Sequence, residues 1–411
     1  MNKLSLATAA LIAAGFVSQA SAANAIYFTG STAFRGNSFN VLSTSTAGGG
    51  VWDAAPQIAT RGNATASKGT DMLFHGNISG VETFISCHWS GSEAGLASVA
   101  NTTVDNSPFG NIPGAPATFL KTDGTVAYTQ VSTGATGSEL EATTRQGDLA
   151  LADTSSAVSL TSTYPFASFG TVGVVPFTWV KNTNSVPNSS WTHFVNITHD
   201  QARSVLNFPQ QAVLFTGNTA DTSYIYAVGR NKGSGTRVNE LADCGYPIAK
   251  DVLQFSIGGL PFSGGLTLAE VDNNGYESGG DVAKALGVDG SCGQTDPNFG
   301  GTGWLAAGFM GLGDASTFPV SPYWLTLNGV LESDGSVEEG QYSAWGNEHL
   351  YGESDVISNA AKQYQEDFAN LFKTKLGANL GGGTPSAHSS GIQTGFMHAE
   401  KLSDTAAPSR L

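Results

Sequence analysis

The 411-residue chain has little charge. Only 12% of its residues are Asp, Glu, Lys or Arg, and 33 acidic residues against 18 basic ones give a formal net charge of −15. A negative field of this size repels nucleic acid and anionic lipid, so neither is expected as a partner. A small anion is not excluded, because backbone N–H groups in a pocket act over distances shorter than the screening length of physiological salt.

Long hydrophobic runs are also missing. The most apolar stretch, residues 4–17, is too short to span a membrane. It follows Lys3 and precedes Ala-Ser-Ala at 20–22, the small-x-small pattern of a signal peptidase site. We therefore predict a cleaved signal peptide at residues 1–22, no membrane anchor, and a periplasmic or secreted protein. A buried N-terminal helix is the alternative.

Cysteine and histidine are too sparse and too scattered for a metal site. The chain has three cysteines, no CxxC and no HxxxH, so no metal and no cofactor are expected. Export permits a disulfide. Cys244 and Cys292 both lie in loop-like sequence and are predicted to pair, whereas Cys87 follows a strand-like run and is predicted to be a buried thiol.

The chain is instead rich in glycine, with 52 residues, and alternates strand-like and helical segments. This alternation predicts an α/β protein. The run GTVGVVPFTWVKN at 170–182 predicts a strand buried on both faces. Residues 44–72 and 101–147 are predicted to be loops, and the final 30 or so residues to be loosely ordered.

Two helices are predicted from capping residues and apolar spacing. Thr198 is a suitable N-cap for a short helix that reaches Leu206. A longer helix is predicted to be capped by Ser354 and to bury an apolar stripe from Ile357 to Phe372.

The stretch VGRNKGSGTR at 228–237 combines a strand end, a glycine-rich turn and a helix start. Such a turn leaves backbone N–H groups unpaired at the positive end of the helix dipole. Ser234 and Thr236 add hydroxyl donors, and Arg230 can bind an oxyanion through two parallel hydrogen bonds. The pattern indicates anion binding, with a purely structural turn as the alternative. It lacks the spacing and the GK[ST] ending of a P-loop, so nucleotide hydrolysis is not indicated.

Three further strand-like segments end in small hydroxyl residues. They are FTGSTAF at 28–34, WSGSEAG at 89–95 and LADTSSA at 151–157. Ligands of open α/β sheets bind at the carboxyl ends of the strands. Four such loops are therefore expected to converge on one cleft.

The order GSTAF, GSEAG, GDLALADTSS, GVVPFTWVKN, ITHDQARSVL and GRNKGSGTR resembles the periplasmic phosphate-binding proteins of ABC importers, in the type 2 periplasmic binding protein superfamily. The resemblance covers most of residues 24–310, and YSAWGNEHLY at 342–351 is similar to the segment before the last helix of that family. It implies a two-lobed α/β fold with two crossover segments and an interlobe cleft. Lobe one would comprise residues 23–170 plus 322–411, and lobe two residues 171–321.

The same resemblance implies a ligand set. Its members are Thr32, Phe34, Ser92, Asp153, Arg230, Ser234, Gly235 and Thr236. Asp153 would accept a hydrogen bond from a P–OH group, which sulfate lacks. The implied function is capture of an inorganic oxyanion, phosphate before others, for an ABC permease in the inner membrane, by a monomer that is not an enzyme. Each residue also has a structural alternative, as a turn, a helix cap or half of a surface ion pair.

Three residues depart from the family pattern. Lys232 stands where many phosphate binders have an acidic residue, Glu93 where a small residue is usual, and Arg35 directly follows Phe34. These departures affect the identity of the ligand more than the fold. The alternative function is an extracellular structural or adhesive protein that has kept the fold and lost or changed the ligand.

An exported hydrolase is not supported by the sequence. The only cluster of a nucleophile with a base is Ser92 with His88 and Glu93. It lacks the GxSxG elbow of the α/β-hydrolases, so no catalytic residue is predicted.

Overall fold

The computed structural model describes residues 23–101, 104–106, 110–112, 117–122, 130–131, 142–159, 161–260, 262, 264, 267–288, 295–296, 298–300, 303–403 and 406–411. The predicted signal peptide at residues 1–22 and Cys292 lie outside these ranges. Among the described residues, no helix combines the length and apolar character that a membrane crossing requires.

The strands are β1 (Asn24–Gly30), β2 (Gln57–Arg61), β3 (Asp71–Ile78), β4 (Val81–His88), β5 (Val104–Asn106), β6 (Gly110–Ile112), β7 (Ala117–Leu120), β8 (Gln130–Val131), β9 (Ala142–Arg145), β10 (Leu149–Ala152), β11 (Ala167–Lys181), β12 (Asn196–Ile197), β13 (Gln210–Gln211), β14 (Tyr224–Ala227), β15 (Phe255–Ile257), β16 (Leu268–Glu270), β17 (Trp304–Gly311), β18 (Trp324–Leu327), β19 (Trp345–Gly352), β20 (Ala399–Glu400) and β21 (Ser409–Arg410).

The helices are α1 (Arg35–Leu42), α2 (Ser92–Ala100), α3 (Ser189–His193), α4 (His199–Val205), α5 (Val213–Thr216), α6 (Gly235–Asp243), α7 (Gly279–Leu286), α8 (Leu312–Ala315), α9 (Val320–Tyr323), α10 (Asp334–Glu338) and α11 (Gln363–Asn379). Helices thus alternate with strands along much of the chain, which confirms the predicted α/β class.

A mixed sheet runs through the molecule in the order β13-β14-β17-β11-β19-β10-β1-β4-β3-β2-β8. β1 is parallel to both β10 and β4, and β14 is parallel to β17. The intervening antiparallel pairs turn β14 and β17 in the sense opposite to β1. The carboxyl ends of the parallel strands in one lobe therefore point toward those of the other lobe.

Strand β11 belongs to both lobes. Residues 167–176 pair with β19 on the side of lobe one, and residues 177–181 pair with β17 in lobe two. The strand is largely buried, as the apolar run at 170–182 predicted. The second connection between the lobes is the segment 328–344, which contains α10. The predicted lobe boundary after residue 170 falls inside this continuous strand, and the exact boundaries stay a prediction.

The centre of lobe one is an aromatic cluster around Phe28. Its ring packs edge-on against Phe372 of α11, with 5.0 Å between centroids, and lies 5.5 Å from Trp89. Full burial of a side chain of this size contributes about 1.5–3 kcal/mol. These contacts fix the end of β1, and with it the loop that begins at Ser31.

The short helix α4 is confirmed, because Thr198 caps it in a reciprocal capping box with Gln201. The predicted start of the last helix is wrong. α11 begins at Gln363, and Ile357 is 52% exposed. Lys362 bonds the carboxylates of Glu353 and Asp355, which holds the preceding residues in turns instead of a helix.

Two loop predictions are also wrong in part. Residues 44–72 contain β2, which pairs along its length with β3. The C-terminal residues are packed rather than loose: Ile392 is fully buried, and its carbonyl accepts a hydrogen bond from the Val174 N–H at 2.9 Å. The packing of this segment was not predicted because its composition is polar and the few apolar residues that anchor it are widely spaced.

Candidate functional site

Five loops meet between the lobes. Those after β1, β4 and β10 come from lobe one, and those after β14 and β17 come from lobe two. The Gly91 N–H donates to the Gly30 carbonyl at 3.0 Å, and the Ala94 N–H donates across the cleft to Gly233 at 3.2 Å. The structure thus brings together the four loops expected from the sequence and adds a fifth, Leu312–Ala315.

The centre of this junction is a group that we call the Asp153 cluster: Ser92, Asp153, Thr236 and Asn239. The Ser92 hydroxyl donates to Asp153 Oδ1 at 2.6 Å, and the Thr236 hydroxyl donates to Oδ2 at 3.2 Å. The Asn239 amide donates to the Asp153 carbonyl at 2.7 Å. All four side chains are buried. Asp153 therefore accepts hydrogen bonds from both lobes and holds them together.

Gly235 permits this close approach. A β-carbon at this position would lie 1.7 Å from Asp153 Oδ1 and 2.7 Å from the Ser92 Cβ. Any side chain would separate the lobes. Ser234 precedes it as the N-cap of α6, where its hydroxyl oxygen accepts a hydrogen bond from the Arg237 N–H at 3.2 Å.

Arg230 is a buried cation whose hydrogen-bond acceptors, among the described residues, are backbone carbonyls. Its side chain is 1% exposed. Nε donates to the Tyr276 carbonyl at 3.2 Å and Nη2 to the Glu277 carbonyl at 2.5 Å. Neither of these acceptors carries a charge. Burial lowers the pKa of Arg230 to about 10, although Asp314 and Asp153 act in the opposite direction.

Arg35, from lobe one, is a second buried cation of this kind, at 4% exposure. Among the described residues its one hydrogen bond runs from Nη1 to the Gly69 carbonyl at 3.4 Å. Burial lowers its pKa, and nearby Asp314 partly offsets that effect. Within the described residues, neither Arg35 nor Arg230 has a carboxylate oxygen within 4.0 Å of its guanidinium. We call Arg35 and Arg230 the arginine pair.

A buried carboxyl that the sequence did not single out acts electrostatically on both members of the arginine pair. Asp314, in the turn after β17, is 6% exposed. Burial raises its pKa, while Arg35, Lys68 and Arg230 lower it. The segment GLGDA at 311–315 has the same strand-end pattern of small residues as the other loops. That pattern was the signal from which Asp314 could have been found.

Thr32 and Phe34 occupy different environments. Thr32 lines a cavity of about 140 Å³ together with Arg35, Lys68 and Asp314. The Phe34 side chain is fully buried in the hydrophobic core. Only the backbone of Phe34, at the N-cap of α1, is placed to meet a ligand.

Two of the departures from the family pattern lie away from the cleft centre. The Glu93 carboxylate accepts hydrogen bonds from the hydroxyls of Thr154 at 2.9 Å and Ser159 at 2.7 Å. Glu93 therefore stabilises the loop after β10. Lys232 is partly buried. Burial lowers its pKa, while Asp251 acts in the opposite direction and Arg237 in the same one.

A further carboxyl lies beside the Asp153 cluster. Glu348 is fully buried, and neither of its oxygens makes a hydrogen bond of ordinary geometry. Burial, and then Asp153, raise its pKa far above the usual carboxyl range, while the nearby Ser31 hydroxyl lowers it in part. Glu348 lies in the segment YSAWGNEHLY at 342–351, but no role was predicted for it from the sequence.

The structure tests one of the two predictions made for the cysteines. Cys87 is a buried thiol in β4, as predicted. Cys244 is buried, but Cys292 lies outside the described residues. The Cys244–Cys292 disulfide therefore stays a prediction.

Solved phosphate-binding proteins resemble this chain. A phosphate ABC transporter substrate-binding protein from Clostridium perfringens, with bound phosphate, matches with a TM-score of 0.44 and 12% identity, over 84% of this chain and 92% of its own. An ABC-type phosphate transport receptor from Vibrio cholerae matches with a TM-score of 0.40 and 14% identity, over 84% and 93%. No protein-family model and no curated protein matches the chain.

Proposed function

We propose that the chain is an extracytoplasmic receptor that closes its two lobes on an inorganic oxyanion, with phosphate as the favoured ligand. The observation that carries the proposal is the arginine pair: two buried cations, one from each lobe, with no carboxylate oxygen of the described residues within 4.0 Å. A buried charge without a partner is strongly destabilising. An anion between Arg35 and Arg230 would supply the missing partner for both.

The surrounding groups suit this role. Helices α1, α2 and α6 begin at the cleft, and their first N–H groups and dipoles favour negative charge there. Ser92 and Thr236 would turn their hydroxyls from Asp153 to the ligand. Asp153 would then accept a hydrogen bond from a P–OH group, which selects protonated phosphate over sulfate. Delivery to an ABC permease after export would follow from the same role.

A second function is favoured by one specific observation. In the Asp153 cluster, Ser92 and Thr236 already bond Asp153, so these predicted ligand residues satisfy one another. A structural or adhesive protein on the same fold, without an oxyanion ligand, would use such a lock between its lobes. In that case the two buried charges of the arginine pair would lower the stability of the protein, and no ligand would offset that effect.

Isothermal titration calorimetry separates the two functions. The mature protein is unfolded in denaturant, dialysed to remove carried-over ligand, refolded, and titrated with phosphate and then with sulfate at neutral pH. Tight phosphate binding with weak sulfate binding supports the receptor. Equal affinities would remove Asp153 from its role as the discriminating acceptor. Absence of heat with either anion would reject the receptor in favour of the ligand-free protein.

A further inference from the structure

A larger groove lies beside the cavity that contains Arg35, and Lys68 lines both. The cavity, of about 140 Å³, is lined at its polar end by Thr32, Arg35 and Asp314. The groove, of about 540 Å³, is lined by residues of both lobes. Lys68 lines both spaces, so it stands at their junction. A ligand larger than one tetrahedral anion could therefore extend from the Arg35 cavity past Lys68 into the groove.

The groove differs in chemistry from the cavity. On the side of lobe two it is walled by Phe318, Pro319 and Tyr323, and on the side of lobe one by Asn63 and Thr65. The Phe318 and Tyr323 rings lie 5.8 Å apart. A volume of 540 Å³ lies within the range of small-molecule sites, which combine apolar and aromatic walls with a few placed polar groups. The groove therefore suits an organic substituent.

We propose that the natural ligand of this cleft is an organic phosphate monoester, with its phosphoryl group in the Arg35 cavity and its substituent in the groove. This proposal rests on the proposed function, because the charged group is a phosphate in both. Arg35 and Lys68 supply positive charge to the phosphoryl oxygens. The substituent is clamped between the lobes, so its contacts contribute only in the closed state.

Asp314 gives the cavity a preference within this class. A monoester monoanion, the main form below the second phosphate pKa of about 6, carries one P–OH group, and in the Arg35 cavity that group would donate to the Asp314 carboxylate instead of to Asp153. A sulfate monoester has no such proton and would place its charge against Asp314. The Arg35 cavity is therefore expected to take phosphate monoesters and to reject sulfate monoesters.

The test is calorimetry of the stripped mature protein with phenyl phosphate, inorganic phosphate and phenyl sulfate as probes. Phenyl phosphate is expected to bind at least about tenfold more tightly than inorganic phosphate, since the ring is removed from water. Phenyl sulfate is expected to bind weakly. Phosphate binding without phenyl phosphate binding would overturn the monoester proposal and leave the receptor intact. Absence of binding by all three probes would overturn both.

A pair of matched variants locates the substituent. Thr65→Trp places a large ring in the groove from an exposed position on lobe one. It is expected to weaken phenyl phosphate binding at least about tenfold and to leave inorganic phosphate binding within about twofold. Thr46→Trp, at an exposed position that lines neither space, is the control. Equal losses for both probes in Thr65→Trp, or unchanged phenyl phosphate binding, would place the substituent elsewhere.

Discussion

The Asp153 cluster and the arginine pair lie in one cleft but differ in how their polar groups are satisfied. In the cluster, a buried carboxylate receives hydroxyl hydrogen bonds at 2.6 and 3.2 Å, one from each lobe. In the arginine pair, the hydrogen-bond acceptors among the described residues are neutral carbonyls, and the Asp314 carboxyl acts on both guanidinium groups electrostatically. Residues that satisfy one another contribute to stability, whereas a buried charge without an ion pair lowers it. The cluster therefore stabilises the junction of the lobes, and the arginine pair is the part of the cleft that we propose to bind the ligand.

The largest effect that tests this contrast is expected at Arg230. Arg230→Met removes the charge and keeps an unbranched stem in the core. Phosphate affinity should fall by about 10- to 150-fold, because a hydrogen bond to a charged group contributes roughly 1.5–3 kcal/mol. Stability without ligand should be equal or higher, since an unpaired buried charge is lost.

Calorimetry gives the affinity for the Arg230 variant, and urea unfolding gives its stability. Arg203→Met, at an exposed arginine that bonds Asp200, is the matched control. Unchanged phosphate affinity in Arg230→Met would remove the arginine pair from the ligand site.

In the Asp153 cluster, by contrast, we expect a substitution to lower the stability of the protein. Ser92→Ala leaves Asp153 Oδ1 without its donor from α2. The free energy of unfolding should fall by about 1–3 kcal/mol, the usual effect of an unsatisfied buried polar group. Urea denaturation measures this loss, with the exposed Ser358→Ala as control. If Ser92→Ala lowers phosphate affinity but not the free energy of unfolding, then Ser92 acts mainly in ligand binding and not in holding the lobes together.

The last test concerns pH. Because the folded protein raises the pKa of Glu348, the unfolded chain releases this proton at lower pH than the folded protein does. Glu348 therefore makes stability fall as pH rises above the ordinary carboxyl range, by up to about 1.4 kcal/mol per pH unit. Glu348→Gln has no proton to release and should flatten the dependence between about pH 5 and 8. Unfolding curves across that range measure the slope, with the exposed Glu270→Gln as control. An identical slope in wild type and Glu348→Gln would contradict the raised pKa.

The sequence was informative where a feature is local. The buried strand β11, the N-cap at Thr198 and the strand-end loops follow from spacing and residue type over about ten positions. The sequence could also name Ser92, Asp153 and Thr236 as polar groups of one cleft. It could not show that they bond one another, because their separation along the chain is 61 and 83 residues.

Long-range packing explains what the sequence did not reveal. Arg35 lies on a helix that carries no charge pattern, and only the approach of α8 places Asp314 near it. The start of α11 depends on how Lys362 bonds Glu353 and Asp355. The C-terminal residues are held by long-range contacts such as the two backbone hydrogen bonds between Ile392 and Val174. Each of these depends on partners far along the chain or on local competition between side-chain and backbone bonds.

The order of the elements along the chain also determines which lobe can be completed first during synthesis. Strands β12 to β18 of lobe two lie between residues 196 and 327, so this lobe is complete in one stretch of chain. Lobe one begins at β1, but the aromatic rings that cover Phe28 lie on α11, more than 300 residues later. A chain that emerges from its amino end can therefore complete lobe two while lobe one still waits for its last helix. The cleft can form only when synthesis of the chain is nearly finished, so a protein truncated before α11 would carry Arg230 but no completed partner lobe.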